Sequence, residues 1–413
     1  MNRQYVVERP CIRAVACRIC GSTRFTKRLD LGFQPICNRF LTAPDEIEEQ
    51  FPFALMQCED CAVLQLEAVA PPEALKPRYP WITYREAEGH LDEMVRDILA
   101  LAGLHRDARI IGSNYKDTTV IERFRRLGFA HADLLDPRRD LEVDADRAEI
   151  ETVQDRLTPE RCSLIAERNG PADVLVMRHV IEHAHDIHRF AAAVRALVRP
   201  GGLAVFEVPD FRPSLTHFDY STLWEEHVFC FTDATLAATC ARLGFEPLLV
   251  KIYPYPIENA LVSMVRVSEK IQPVEIPTFD VSAELSIGEM YGREHAPRSA
   301  RLQDYLDHFV RDHGPVAVFG AGHLSTKFIN FMRIAPWIQF IADGDTCKIG
   351  KLLPGSRLPI VPPSELFNQR IRLCLLGLSA ESEARVRKAF TAFTDSGGRF
   401  ASISPISPTR LEF

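Results

Sequence analysis

Two Cys-x-x-Cys pairs, Cys17-Arg18-Ile19-Cys20 and Cys58-Glu59-Asp60-Cys61, restrict this chain more than any other feature of its sequence. Each pair offers two sulfurs to one tetrahedral ion, and the chain between them has to bring the second pair back to the first. That segment is longer than the roughly 15–20 residues of a common ribbon motif, so it must hold structure of its own. Gly21 follows the first pair and lets the backbone turn its amides toward the thiolates. Four thiolates close a coordination sphere and leave no position for substrate or water. The expected metal is therefore a structural zinc on Cys17, Cys20, Cys58 and Cys61. The other cysteines, Cys11, Cys37, Cys162, Cys230, Cys240, Cys347 and Cys374, have no partner at ligand spacing and read as buried hydrophobes.

With 413 residues the chain has room for two or three domains at roughly 100–200 residues each. Its 49 Lys and Arg against 56 Asp and Glu leave a net charge of −7 without a basic block, which argues against nucleic acid as a partner. No run approaches the ~18 consecutive apolar residues of a membrane span, and Met1-Asn2-Arg3-Gln4-Tyr5 lacks a signal-peptide core. A cytoplasmic location without membrane attachment is expected. In that reducing compartment, metal binding is a better use of paired cysteines than a disulfide framework.

Beyond the cysteine pairs the hydrophobic period changes along the chain. Residues 79–106 read as helical, with Leu91, Met94, Val95, Ile98, Leu99 and Leu101 at helix spacing. Short β-like runs at 108–111, 132–135, 172–177 and 203–208 then alternate with helical stretches at 118–127 and 187–198. That alternation predicts a parallel, doubly wound sheet with crossover helices. Pro200-Gly201-Gly202 ends one helix and launches the next strand. Runs at 248–252 and 260–267 could close the sheet as an antiparallel pair, and 272–280 reads as a connector. A helix near 302–310 leads into a second α/β pattern with strands at 316–319, 338–342 and 372–376.

Ile110-Ile111-Gly112-Ser113-Asn114 lies between an expected strand and helix, where backbone amides favour an anionic or polar ligand edge. Asp136 ends the following strand, a place from which an acid accepts from ribose hydroxyls. A plain strand-to-helix turn explains one glycine and one acid equally well. Gly320-x-Gly322 is similar, but Ser325 stands where a dinucleotide loop has its third glycine, and Asp343 or Asp345 follows the next strand. A structural turn is the preferred reading there.

Arg178-His179-Val180-Ile181-Glu182-His183 and Leu223-Trp224-Glu225-Glu226-His227 follow two further strands, so imidazoles and carboxylates converge on the crevice of a doubly wound sheet. An imidazole takes a proton near neutral pH, and a neighbouring carboxylate can orient it and raise its basicity. The alternative for His179, His183 and His185 is a role in capping or solvating a loop, and His185 and His188 are best read in that plain way. His227, flanked by acids and aromatic residues, stands open to either reading.

Taken in order, these pieces resemble one family. Cys17-x-x-Cys20-Gly21, Leu29-Asp30-Leu31-Gly32-x-Gln34-Pro35-x-x-Asn38 and Cys58-x-x-Cys61 with Leu64-Gln65-Leu66 resemble the N-terminal metal-binding domain of the SAM-dependent sugar C-methyltransferases, which act at C-3 of nucleotide-linked keto-deoxysugars. The likeness continues through Tyr79-Pro80-Trp81, Gly112-Ser113-Asn114, Val180-Ile181-Glu182-His183, Glu207-Val208-Pro209 and Glu226-His227-x-x-x-Phe231. It reaches Gly320-Ala321-Gly322 and Lys348-x-Gly350-x-x-x-Pro354-Gly355-x-x-x-Pro359-Ile360, and so covers nearly the whole chain.

The resemblance implies an α/β protein of three domains. These are a zinc-binding domain over 1–78, a class I, Rossmann-like methyltransferase domain over 79–270, and a C-terminal Rossmann-like α/β domain over 271–413 with a leading linker and helix. It implies S-adenosyl-L-methionine at Gly112, Ser113, Asn114, Asp136 and His179, and a small-molecule substrate, a nucleotide-linked sugar, held between domains of a monomer or weak dimer. Methylating carbon beside a ketone requires a base for the α-proton, stabilisation of the enolate oxygen and in-line delivery of the sulfonium methyl. His227 maps onto the family's base, Glu226 onto its partner, and Tyr79 and Trp81 onto its substrate-facing tyrosine motif.

The chain also departs from the family pattern. Ile110 replaces an acid two residues before the loop glycine, and Tyr115-Lys116 replaces Asp-Gly after Asn114. The family's Tyr-His-Glu-His is Trp224-Glu225-Glu226-His227 here, and Pro256-Ile257-Glu258-Asn259 stands in place of its His-Gly-Gly-Ser. These changes lead to two expectations: an enzyme with a different substrate, or a diverged relative that binds a metabolite or partner without methyl transfer.

Overall fold

The computed structural model describes residues 5–9, 11–79, 87–268 and 274–413. Trp81, one of the expected substrate-facing residues, lies outside them. Between the cysteine pairs the chain forms a long antiparallel hairpin, which answers the requirement that the second pair return to the first. Strands β1 (Val6–Glu8), β2 (Phe25–Pro35), β3 (Glu48–Cys58) and β4 (Leu64–Leu66) build this sheet, with β2 running beside β3 from Phe25 opposite Cys58 to Pro35 opposite Gln50. Alternate residues of a strand face one side, and β3 buries Phe51, Phe53 and Leu55 in the core. A distant segment, Phe229–Cys230, pairs antiparallel with β4 and closes the sheet two residues after His227.

The central unit is the doubly wound sheet that the periodicity predicts. After helix α1 (Leu91–Ala102) come β5 (Arg109–Gly112), α2 (Thr118–Arg126), β6 (His131–Leu134), α3 (Ile150–Arg156) and α4 (Pro159–Asn169). Then follow β7 (Ala172–Arg178), α5 (Ile187–Leu197), β8 (Val198–Pro209), α6 (Asp233–Arg242), β9 (Glu246–Tyr253) and β10 (Ala260–Arg266). The strand order is β9-β10-β8-β7-β5-β6, parallel from β8 to β6 and closed by the antiparallel pair β9 and β10. The chain passes from β5 to β6 on one side and crosses back to β7 on the other, so the crevice beside the C-terminal end of β5 is the natural ligand site.

Helix α1 is shorter than the expected 79–106. It ends at Gly103, whose left-handed φ of 56° terminates the helix. Helices α3 and α4 were not legible in the sequence, because α3 turns Glu151 and Thr152 inward as well as Ile150 and Val153 and so breaks the apolar stripe.

Helix α7 (Val281–Asp312) runs well beyond the expected 302–310 and contains Pro297. It lies against the hairpin through small residues: a Cβ at Gly292 would overlap the Arg28 carbonyl, and one at Gly288 would overlap the Gln57 side chain. Tyr220 and Tyr291 tie it to the central unit, each donating its hydroxyl to a backbone carbonyl across the contact, at 2.8 and 2.9 Å. The last unit is a five-stranded parallel sheet of β11 (Val316–Phe319), β12 (Ile338–Ala342), β13 (Ile360–Val361), β14 (Leu373–Leu376) and β15 (Arg399–Ser402), with helix α8 (His323–Phe331) after β11. Among the described residues no helix is long and apolar enough to cross a membrane.

Candidate active site

The two cysteine pairs meet as expected. Cys17 Sγ lies 3.6 Å from Cys61 Sγ and Cys20 Sγ 3.5 Å from Cys58 Sγ, and all four lie within 4.8 Å of one another. Tetrahedral zinc with Zn–S near 2.3 Å sets sulfurs about 3.8 Å apart, so the four thiols fit that ion. The knuckles match each other. Gly21 and Ala62 each follow the second cysteine of a pair with left-handed φ of 74° and 59°, and each donates its N–H to the carbonyl of the first. Among the remaining cysteines, Cys162, Cys230, Cys240 and Cys374 are buried, but Cys11 is half-buried and Cys347 is exposed. Cys347 sits in the turn after β12, where Asp345 accepts from its N–H at 2.9 Å and its side chain is exposed.

At the end of β5, Gly112 is required by close packing: a Cβ would come within 2.7 Å of both Asp117 Cβ and Leu134 Cδ2. Ile110 packs in the apolar core beneath the sheet, fully buried. Asp117 brings a buried carboxylate to the loop, accepting from Ser113 N at 2.7 Å, Asn114 N at 3.1 Å and Arg178 N at 3.1 Å. Burial pushes the Asp117 carboxyl up to about 6, against the charge of Arg178. Asn114 also donates to the Arg178 carbonyl, which locks the loop to β7.

Arg178 is nearly fully buried, donating through Nε to Glu207 at 2.9 Å and through Nη1 to the Lys116 carbonyl at 2.6 Å. Burial works to raise the Glu207 carboxyl, but Arg178 beside it holds it well below the usual range. Nη2 of Arg178 is buried without a hydrogen-bond partner. A buried donor left unmade is costly, and a carboxylate-bearing ligand beside the Gly112–Asn114 loop would satisfy it. The residues present thus fit S-adenosyl-L-methionine. His179 follows in a left-handed conformation, φ 56°, a strained backbone of the kind found at ligand sites. Asp136 is exposed after β6, with Oδ1 accepting from Arg139 N at 2.7 Å.

The two loops expected to converge do so. Tyr115, Lys116, His179, His183, Glu226 and His227 all line one cleft, together with Glu149, Glu151, Trp224 and Glu258. The His227 ring meets His183 edge-on at 4.8 Å and Trp224 at 5.0 Å. His183 Nδ1 lies 2.7 Å from Glu151 Oε1. Burial, then the facing His227, lowers the His183 imidazole well below its ordinary value, so it is neutral at pH 7. Glu226 accepts from Asn38 Nδ2 at 3.3 Å, and burial followed by the charge of Glu225 raises its carboxyl to about 8. Tyr79 is not brought to this cleft by the described structure: its hydroxyl donates to the Phe40 carbonyl at 3.3 Å, and Lys351 lies over its ring.

Two departures from the family pattern make contacts to the third unit. Glu225 points to the third unit, where Lys327 Nζ lies 2.5 Å from its Oε2, and it also accepts from the Cys37 N–H at 2.5 Å and thiol at 3.3 Å. Burial opposes its ionisation, but Lys327 holds the Glu225 carboxyl down at about 2. Trp224 stacks on His323 with ring centroids 4.4 Å apart. Cys37 is therefore part of a buried polar junction of all three units, more than the inert hydrophobe its isolation suggested. Lys327→Met would leave Glu225 buried and unpaired, an expected loss of about 3–5 kcal/mol in denaturant unfolding. Adding Glu225→Gln should recover much of it, and an unchanged midpoint in the single variant would refute the junction.

The Gly320-x-Gly322 loop joins β11 to helix α8. Asp343 accepts from the Ala321 N–H at 2.7 Å, and Ser325 is buried against Gly377. Lys327 and His323 instead carry helix α8 into the junction. Sequence reasoning missed Glu151, Lys327 and His323, whose isolated positions give no signal. The stretch 256–259, marked in the sequence as a departure from the family pattern, does reach the cleft wall through Glu258, while Asn259 donates to Asp210 at 3.0 Å.

Comparison with known proteins gives three successive domain matches. Residues 17–75 match the family described as "Putative zinc binding domain", 71–250 "Methyltransferase domain" and 284–405 "C-methyltransferase C-terminal domain". The C-methyltransferase NovU of Streptomyces niveus is 25% identical over 410 residues, 96% of either chain. Among solved structures, a Burkholderia thailandensis 1,6-didemethyltoxoflavin-N1-methyltransferase with bound 1,6-didemethyltoxoflavin and S-adenosylhomocysteine is 16% identical, covering 44% of this chain and 79% of that one, with a TM-score of 0.29. A SAM-dependent methyltransferase from Anabaena variabilis is 15% identical over 44% and 86% of the two chains, with a TM-score of 0.28.

Proposed function

We propose that this chain, which belongs to the C-methyltransferases by the three domains it carries in order, moves the methyl group of S-adenosyl-L-methionine onto a carbon acid, a nucleotide-linked keto-sugar. One observation carries the reading: Tyr115 and Lys116, directly after the Gly112–Asn114 loop, wall the same cleft as His227. His227 takes the proton from the carbon beside the substrate ketone, and Glu226 is its acidic neighbour. Lys116, the ammonium on the cleft wall, offsets negative charge that develops on the substrate oxygen. Gly112, Ser113 and Asn114, with Asp136, Arg178 and His179, would hold S-adenosyl-L-methionine, which supplies the electrophilic methyl group when bound.

Calorimetric titration with S-adenosyl-L-methionine and its demethylated product tests the cofactor half. Micromolar binding is expected, and no heat with no thermal shift would sink the enzyme reading. Exchange of the α-proton of a nucleotide-linked keto-sugar in deuterated water tests the base. A second reading, a relative that binds without methyl transfer, is favoured by Asp117, whose carboxylate already takes the Ser113 and Asn114 amides. The same titration decides between them.

A further inference from the structure

Glu151 in the first turn of α3, His183 after β7 and Glu226 after β8 bring their ligand-type atoms within 4.8 Å of one another, and all three are buried. They reach this point from three separate segments and line the cleft. We propose that Glu151, His183 and Glu226 hold a divalent cation whose open coordination positions face the cleft.

Two carboxylates and one imidazole suit a first-row divalent ion such as Mn²⁺ or Fe²⁺. Three protein ligands with room for more are the arrangement of a reactive metal site, unlike the closed four-thiolate clip. A second observation points the same way. Glu182 is 1% exposed, its Oε1 lies 3.3 Å from His179 Nδ1, neither carboxylate oxygen completes a hydrogen bond, and its ligand atom lies within 4.8 Å of those of His183 and His227. A further buried acid thus stands at the same imidazole with its hydrogen-bonding capacity unfilled.

The charge around the cleft asks for a cation too. Among the described lining residues Glu149, Glu151, Glu226 and Glu258 face Lys116 as the lone Lys or Arg. Glu149 is paired with Arg147 at 2.6 Å, whereas Glu151 and Glu226 are buried beside each other, where a divalent cation would offset their charge. The ion could also bind the enolate oxygen as a Lewis acid, in a chain that has Trp224 where the family has a phenol. That role rests on the C-methylation reading, whereas binding of the ion does not.

The test is Mn²⁺ alone, titrated into zinc-replete full-length protein and followed by the electron paramagnetic resonance of the free ion. One ion per chain is expected, and Glu151→Gln and Glu226→Gln should each weaken binding at least about tenfold. Absence of binding overturns the site, as does affinity unchanged in both variants or an equal loss in Glu258→Gln, which lies outside the three ligands. Pulsed spectra of the bound ion in unaltered protein should show nitrogen coupling from an imidazole, and its absence overturns the assignment without any variant. A protein that methylates but binds no Mn²⁺ loses only this site. One that binds Mn²⁺ but neither binds S-adenosyl-L-methionine nor methylates keeps the site and loses the proposed reaction.

Discussion

His227→Ala is expected to lower kcat for methyl transfer by about 10²–10⁴-fold, the range that a positioned general base contributes. The imidazole is held in place: its ring stands edge-on to His183 and against Trp224, and its backbone N–H donates to the Trp224 carbonyl at 3.2 Å. Removing it touches none of the bonds that lock Ser113 and Asn114 to Asp117, so affinity for S-adenosyl-L-methionine should stay within about twofold. Exchange of the substrate α-proton should fall in parallel with kcat. If turnover drops less than about tenfold while the variant is folded, the base lies elsewhere, and neutral His183 is the next residue to replace.

Loss of the zinc should be equally severe, although no substrate can reach a four-thiolate site. Structural zinc contributes apparent binding free energies of about 10–16 kcal/mol in small zinc-dependent folds. Here the effect propagates, because β4 pairs with Phe229–Cys230 directly after His227, and α7 lies on the β2–β3 hairpin. Metal analysis should find about one zinc per chain, since four cysteines make one closed site. Stripping the metal, or Cys58→Ser, should unfold the N-terminal sheet by circular dichroism and abolish methyl transfer together. Metal-free protein that stays fully folded and active would refute the structural role.

Much of the central unit was legible in the sequence, for a definite reason. The strand Ala172–Arg178 is buried on both faces over 174–177, so its apolar run is continuous and short. The 32-residue helix α7 was mostly hidden because its contacts rely on Gly288 and Gly292, residues with low helix propensity, and because Pro297 interrupts it. Helix α3 was hidden because the side chain it delivers to the cleft is a glutamate, which a periodicity argument assigns to solvent.

The site divides in the same way. Ligand spacing is a local property of the chain, so the sequence alone placed the four zinc cysteines, the Gly112 turn and the two loops carrying His179, His183, Glu226 and His227. It could not tell that Asp117 takes the Ser113 and Asn114 amides, nor that Glu225 turns to Lys327. It could not bring Glu151 to His183, 32 residues away. These pairings are long-range, and a charged side chain carries no mark of its partner in the sequence. Only the tertiary structure removes water around such groups, and burial is what makes a partner obligatory.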